Sequence, residues 1–95
     1  MTERTLRQRM TDLLREQEAD ALELSQALGV AEKDVYAHLG HIQRSAVAGG
    51  AEWVVSPSEC LACGYVFADR KRLTRPSRCP RCRHARVSRP AFRIR

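Results

Sequence analysis

Aromatic residues are scarce in this 95-residue chain, which has two Phe, two Tyr and one Trp. That excludes a large aromatic core and a platform on which several bases stack. No run of 18 apolar residues occurs, so no transmembrane helix is expected, nor a membrane as partner. The opening Met1-Thr2-Glu3-Arg4 is charged and lacks the apolar stretch of a secretory signal. A cytoplasmic location is therefore expected, with reduced thiols rather than a disulfide framework. The sequence contains no Ser/His/Asp constellation and no phosphate-cradling glycine loop, so the chain is expected not to be an enzyme. After Asp69 there are no acids at all.

What is present divides unevenly. Residues 1–50 carry six basic and eight acidic side chains, a net of −2, whereas residues 51–95 carry eleven and three, a net of +8. Ten of those eleven bases are Arg, whose planar fork suits phosphate better than the point charge of Lys. A polyanion or an acidic protein surface is the partner this balance suggests, with nucleic acid favoured. The length fits one compact domain or two very small modules, and the 43% apolar content is too high for a wholly disordered chain.

The first half reads as three helices. Leu6, Met10, Leu13 and Leu14 recur at helical spacing and predict a helix from about Glu3 to Gln17, broken by Glu18-Ala19-Asp20. Asp20 is a plausible N-cap for a second helix, Ala21 to Leu28, which Gly29 ends by turning left-handed. A third helix is predicted over Glu32 to Ala46, with Val35, Leu39, Ile42 and Ala46 inward. Gly49-Gly50 stops it, and Ala51 to Val55 reads as a strand in which Trp53 plugs the strand–helix junction.

Glu23-Leu24-Ser25-Gln26-Ala27-Leu28-Gly29-Val30 resembles the second helix and turn of the winged helix-turn-helix family. Ser25 stands four before the turn glycine and Val35 six after it, so a small residue permits close approach and an apolar one closes the core. Val35-Tyr36-Ala37-His38-Leu39 is similar to that family's recognition helix. With Val35, Leu39 and Ile42 turned inward, the outward face carries Lys33, Ala37, Gly40, His41 and Arg44, flanked by Tyr36. Ala37 and Gly40 replace the larger polar readers usual there, which leaves Lys33 and Arg44, with Gln43 as a third, to read bases and weakens direct reading by this helix. Glu32 and Asp34 suit the helix dipole but repel phosphate. His38 and His41 lie on different sides of the stripe and are not expected to hold a metal.

The sharpest signal is Cys60-Leu61-Ala62-Cys63 with Cys79-Pro80-Arg81-Cys82, two C-x-x-C pairs fifteen residues apart. This spacing fits a structural zinc site, in which two tight loops each supply two thiolates to a tetrahedron. Four other readings compete. Disulfides need an oxidising compartment. A thioredoxin-like pair needs a surrounding β-α-β pattern. Catalytic zinc needs an open coordination position, which four cysteines close. A rubredoxin-like iron centre is the closest rival, although such carriers are typically acidic. With Gly64 to Phe67 as a strand, the segment 59–95 resembles a zinc ribbon, and Arg83 stands where ribbons often have glycine. So little apolar sequence is available there that zinc is expected to drive folding of this half. Ala91 to Arg95 alternates apolar and basic residues and reads as a closing strand.

The expected architecture is α+β, with a three-helix winged helix-turn-helix over 1–56 and a β zinc ribbon with a basic terminal strand over 57–95. It resembles the family of small predicted transcriptional regulators that fuse these two modules. In layout it is also similar to an archaeal general transcription factor built from a winged helix and a ribbon. The first resemblance implies DNA binding. The nucleic-acid contacts expected are Lys33, Tyr36, His41 and Arg44 on the third helix, and Arg70, Lys71, Arg72, Arg75 and Arg78 in the ribbon. A homodimer would suit two-fold operators. The alternative partner is RNA polymerase or another transcription protein docked through the ribbon; RNA as ligand also fits a basic ribbon.

Overall fold

Thr5 starts the first helix, α1 (Leu6–Glu16), through a capping box in which its hydroxyl accepts from the Gln8 N–H and the Gln8 side chain accepts from the Thr5 N–H. The computed structural model describes residues 5–70 and 72–95, so the predicted start at Glu3 lies outside the described residues. Met10 and Leu14 of α1 are completely buried.

Where the sequence suggested only a break, Ala19–Asp20 forms a short strand, β1. Asp20 also caps α2 (Ala21–Leu28), with Glu23 returning the second hydrogen bond. Gly29 follows at φ 68°, ψ 36°, a conformation that costs a side chain energy, and the N–H groups of Gly29 and Val30 both donate to the Ser25 carbonyl. The Ser25 hydroxyl donates in turn to the Val30 carbonyl at 2.6 Å. Ser25 is therefore a small residue that also ties the turn. α3 (Glu32–Ala48) runs two residues past the predicted end and buries Val35, Leu39, Ile42 and Ala46, as its spacing required.

Two further strands complete the sheet, β2 (Trp53–Ser56) and β3 (Ala91–Ile94). The order is β1-β3-β2, with both pairings antiparallel. β3 is thus the central strand, and Phe92 and Ile94 point into the core with Met10, Leu14 and the α3 stripe. Alternation predicted this strand correctly, but it belongs to the helical domain's sheet, so the ribbon is an insertion between β2 and β3. Arg93 lies on the opposite face, as period two demands. Trp53 stacks on Phe92 with ring centroids 5.6 Å apart and plugs the edge of the core. Its buried indole N–H has no partner among the described residues.

In the ribbon, the predicted Gly64–Phe67 strand reduces to one bridge, Glu59 to Val66, next to a second, Cys60 to Val87. The architecture is α+β: three helices, a small three-stranded sheet and a zinc ribbon. Among the described residues, no helix is long and apolar enough to cross a membrane.

Candidate functional site

The two C-x-x-C loops are built alike. In the first, the Gly64 N–H donates to the Cys60 carbonyl at 2.9 Å and the Cys60 N–H to the Tyr65 carbonyl at 2.8 Å. In the second, the Arg83 N–H donates to the Cys79 carbonyl at 2.9 Å and the Cys79 N–H to the His84 carbonyl at 2.9 Å. Both loops need a left-handed residue after the second cysteine, supplied by Gly64 at φ 80° and by Arg83 at φ 66°. The departure from glycine at Arg83 is therefore real backbone strain. His84 serves through its carbonyl, and its ring is not among the four clustered donors.

All four Sγ atoms lie within 4.8 Å of one another, with Cys60 to Cys82 at 3.4 Å and Cys63 to Cys79 at 3.7 Å. A zinc tetrahedron with bonds of about 2.3 Å has edges near 3.8 Å, whereas a disulfide would bring two sulfurs to about 2.05 Å. Cys60 and Cys79 are buried and Cys63 is exposed. Burial raises the Cys60 thiol, but the N–H groups of Cys63 and Ala62 outweigh it and bring the group down to about 6. Cys79 is lowered likewise, against its burial, by the Cys82 and Arg81 N–H groups. The His84 N–H favours the Cys82 thiolate, yet burial and the three neighbouring sulfurs push that group up to about 12. Four sulfurs this close ionise together only around a cation. A soft, closed, four-thiolate shell suits Zn²⁺ in a structural role.

Residues 57–95 match the family described as PF0610 rubredoxin-like zinc beta-ribbon domain, and residues 5–54 match the one described as PF0610-like, N-terminal. The chain belongs to the PF0610-like family. Its fold is similar to the solution NMR structure of protein PF0610 from Pyrococcus furiosus, with a TM-score of 0.80 and 25% identity over 100% of this chain and 95% of that one. No curated protein matches it. The ribbon match and the sulfur geometry agree on a single structural Zn²⁺ held by Cys60, Cys63, Cys79 and Cys82.

The predicted nucleic-acid residues fall into three places. Lys33 and Arg44 sit with Ala37 and Gly40 on the stripe of α3 opposite its core residues, and Lys33, Ala37 and Arg44 are exposed. His41 lies at one side of this stripe, its Nδ1 3.5 Å from Arg44 Nη2. Arg7 of α1 is the main reason its imidazole is held below the ordinary range, with slight desolvation, Arg44 and His38 adding to the effect. Sequence gave no sign that Arg7 belongs to this cluster, because the link is a helix packing rather than a spacing.

On the other side, Tyr36 flanks the stripe half-buried, and its hydroxyl donates to Glu32 Oε1 at 3.4 Å. Burial first and the Glu32 charge second raise its pKa. Arg89 of the ribbon donates to Glu32 Oε1 at 2.6 Å, which more than offsets desolvation and holds the carboxyl below the usual range. Exposed Arg75 lines the same groove as Lys33, Tyr36 and Arg89. Arg70 is turned onto Thr74, its Nε and Nη2 donating to the carbonyl at 3.3 and 3.2 Å. Arg70 and Arg72 line a separate cavity at the neck of the ribbon, and Arg78 is exposed. Lys71 lies outside the described residues.

Proposed function

We propose that the chain is a DNA-binding transcriptional regulator of the cytoplasm, acting in the winged helix-turn-helix manner, with α3 in the major groove and the ribbon standing where a wing would. The observation that carries this reading is the outward stripe of α3, which bears Lys33 and Arg44 and is flanked by Arg7 and His41 on one side and by Arg75 on the other. Among the described residues, Arg72 and Arg78 make no ion pair with an acid, and Arg75 lies within electrostatic reach of Glu32 without pairing with it, so their charge is available to phosphate. Arg89 neutralises Glu32, which removes part of the repulsion that the acids of the first turn set against a phosphate. Small residues at positions 37 and 40 leave base reading to Lys33 and Arg44, while phosphates fix the register.

The test is binding of the zinc-loaded protein to a random-sequence duplex pool near physiological salt, with enrichment of bound sequences. If about five phosphates are neutralised, log K falls with log salt at a slope near −4.5; Arg75→Ala flattens that slope by about one, whereas Arg44→Ala relaxes the enriched motif. A homodimer would show as two half-sites about one helical turn apart in the enriched sequences. A flat salt dependence counts against the proposal.

A second reading is a protein-interaction module that docks on RNA polymerase or another transcription protein. It is favoured by Leu61 and Val66, which project from the first cysteine loop at 60% and 42% exposure. Absence of duplex binding together with capture of purified polymerase would select it. No enzymatic activity is proposed.

A further inference from the structure

The ribbon touches α3 away from the neck as well. Between the two cysteine pairs the chain returns to the helical domain, where Leu73 packs against the core and Pro76 is buried. Thr74 and Arg75 of this return line a groove with Glu32, Lys33 and Tyr36 of α3 and with Arg89. Arg89 engages Glu32 as a fork, Nε at 2.6 Å from Oε1 and Nη2 at 3.5 Å from Oε2. The two side chains are 24% and 32% exposed, so water screens the pair only in part. The Tyr36 hydroxyl donates to the same Oε1, and the Arg75 N–H faces that hydroxyl.

What holds Arg89 in place is the zinc site. Its neighbour Ser88 is paired with Glu59 twice, the Ser88 N–H donating to the Glu59 carbonyl at 2.9 Å and the Glu59 N–H to the Ser88 hydroxyl at 2.8 Å. Glu59 directly precedes Cys60, whose own N–H closes the first cysteine loop onto Tyr65. One residue further along, the Leu61 N–H donates to the Arg86 carbonyl at 2.8 Å. A guanidinium on a mobile chain gains little from a solvated carboxylate, because ordering it costs about what the pair returns. The fork therefore depends on Ser88 and Glu59 staying ordered. Glu32 lies in the first turn of α3, where the helix dipole favours its charge and where a phosphate on the outward stripe would be repelled by it.

We propose that zinc occupancy is transmitted to the first turn of α3 along this path: Cys60 fixes Glu59, Glu59 fixes Ser88, and Ser88 delivers Arg89 to Glu32. With zinc, α3 presents a cancelled Glu32 and has Arg75 gathered beside Lys33. Loss of the metal frees Arg89 and returns a negative charge to the end of the helix assigned to the major groove. Affinity for DNA thus follows the metal. This inference rests on the DNA-binding reading above and adds the regulation of that same face. The path is a contiguous run of hydrogen bonds, and the coupling itself is what must be measured.

The test uses the full chain, with and without zinc. In the zinc-loaded protein the Arg89 Nε–H is expected to give a resolved, slowly exchanging resonance, which excess chelator abolishes. Chelation should also shift the amides of Glu32 to Tyr36 while leaving those of Arg44 to Ala48 in place. Ser88→Ala, which removes one link without touching zinc or Glu32, should speed exchange of the Arg89 Nε–H. In duplex binding by the zinc-loaded protein, Arg89→Ala should weaken affinity about fivefold. Adding Glu32→Gln should recover most of that loss. Adding Glu52→Gln instead, an equal change of net charge beyond the far end of α3, should recover none. Survival of the Arg89 resonance after chelation, unchanged exchange in Ser88→Ala, or equal recovery by both glutamine variants would overturn this inference and leave the DNA reading standing. No duplex binding by the zinc-loaded wild type would overturn both.

Discussion

The helical domain and the ribbon share one short chain but are held together by different means. Eleven buried apolar residues drawn from α1, β1, α2, α3 and β3 form the helical core, and Met10, Leu14, Val35, Leu39 and Phe92 are entirely screened from water. Each large side chain so buried contributes about 1.5–3 kcal/mol. In the ribbon the buried apolar set shrinks, among the described residues, to Cys60, Cys79, Val87 and the prolines Pro76 and Pro90, and Leu73 packs against the helical core. Hydrophobic burial cannot hold such a segment, whereas zinc contributes about 10–16 kcal/mol of apparent free energy in small four-ligand modules. The longer region thus reaches order by a core and the shorter one by a metal. They are joined because β3 arrives only after the ribbon is complete.

Removing the zinc should give the largest effect and separates the two regions directly. With excess chelator, amide dispersion from residues 57–90 is expected to collapse while most of the helical circular dichroism survives. The 34 residues between Ser56 and Ala91 then become a flexible connection. Closing it costs roughly 2 kcal/mol more than closing a short hairpin, so the melting temperature of the helical domain falls. Simultaneous loss of the helical signal would make the two regions one cooperative unit. Unchanged circular dichroism and melting after complete metal removal would remove zinc as the ribbon's support.

The converse experiment strikes the core through the strand that follows the ribbon. Phe92→Ala deletes a fully buried ring that stacks on Trp53, at a cost of about 3–5 kcal/mol. Against a total stability of about 5–15 kcal/mol this loss is large, and it should fall on the helices. The thiolate-to-metal absorption of the cobalt(II)-loaded protein should persist, because the cysteine loops close on their own hydrogen bonds. Loss of that absorption in the variant would show that the site depends on the sheet.

What could be read from sequence follows the same division between near and far. The α2 cap at Asp20, the Gly29 turn, the α3 stripe and the two C-x-x-C pairs are patterns that repeat or close within a few residues, and each appears where its spacing placed it. β1 is two residues long, and its existence depends on Phe92 and Ala91 at the far end of the chain, so no local pattern could announce it. Ala91–Ile94 announced a strand but not its neighbours, since alternation fixes which side chains face together and not what they pair with. Gly64 to Phe67 looked like a strand by composition, yet the Tyr65 carbonyl is engaged by the Cys60 N–H within the loop. Tyr36 flanks the outward face as helical arithmetic placed it, but that arithmetic cannot show that Arg89 and Arg75 of the ribbon gather beside Glu32 next to it.

The smallest effect concerns the residue that follows each C-x-x-C pair. Gly64 and Arg83 occupy equivalent left-handed positions, but only glycine is free of the Cβ clash that costs roughly 1–2 kcal/mol there. Glycine also adds unfolded-state entropy, which takes back part of that gain. Arg83→Gly should therefore stabilise the ribbon by about 1 kcal/mol and, since folding and metal binding are one event, tighten zinc about fivefold in competition with a chelator. Arg83→Asn should recover part of this, because Asn tolerates the left-handed region, and Arg83→Ala should recover none. An order of Gly above Asn above Ala assigns the effect to the backbone. Equal gains in all three variants would instead assign it to removal of one positive charge from beside a site whose net charge is already −2 once four thiolates hold Zn²⁺, and such a gain would contradict the attraction expected between Arg83 and that site.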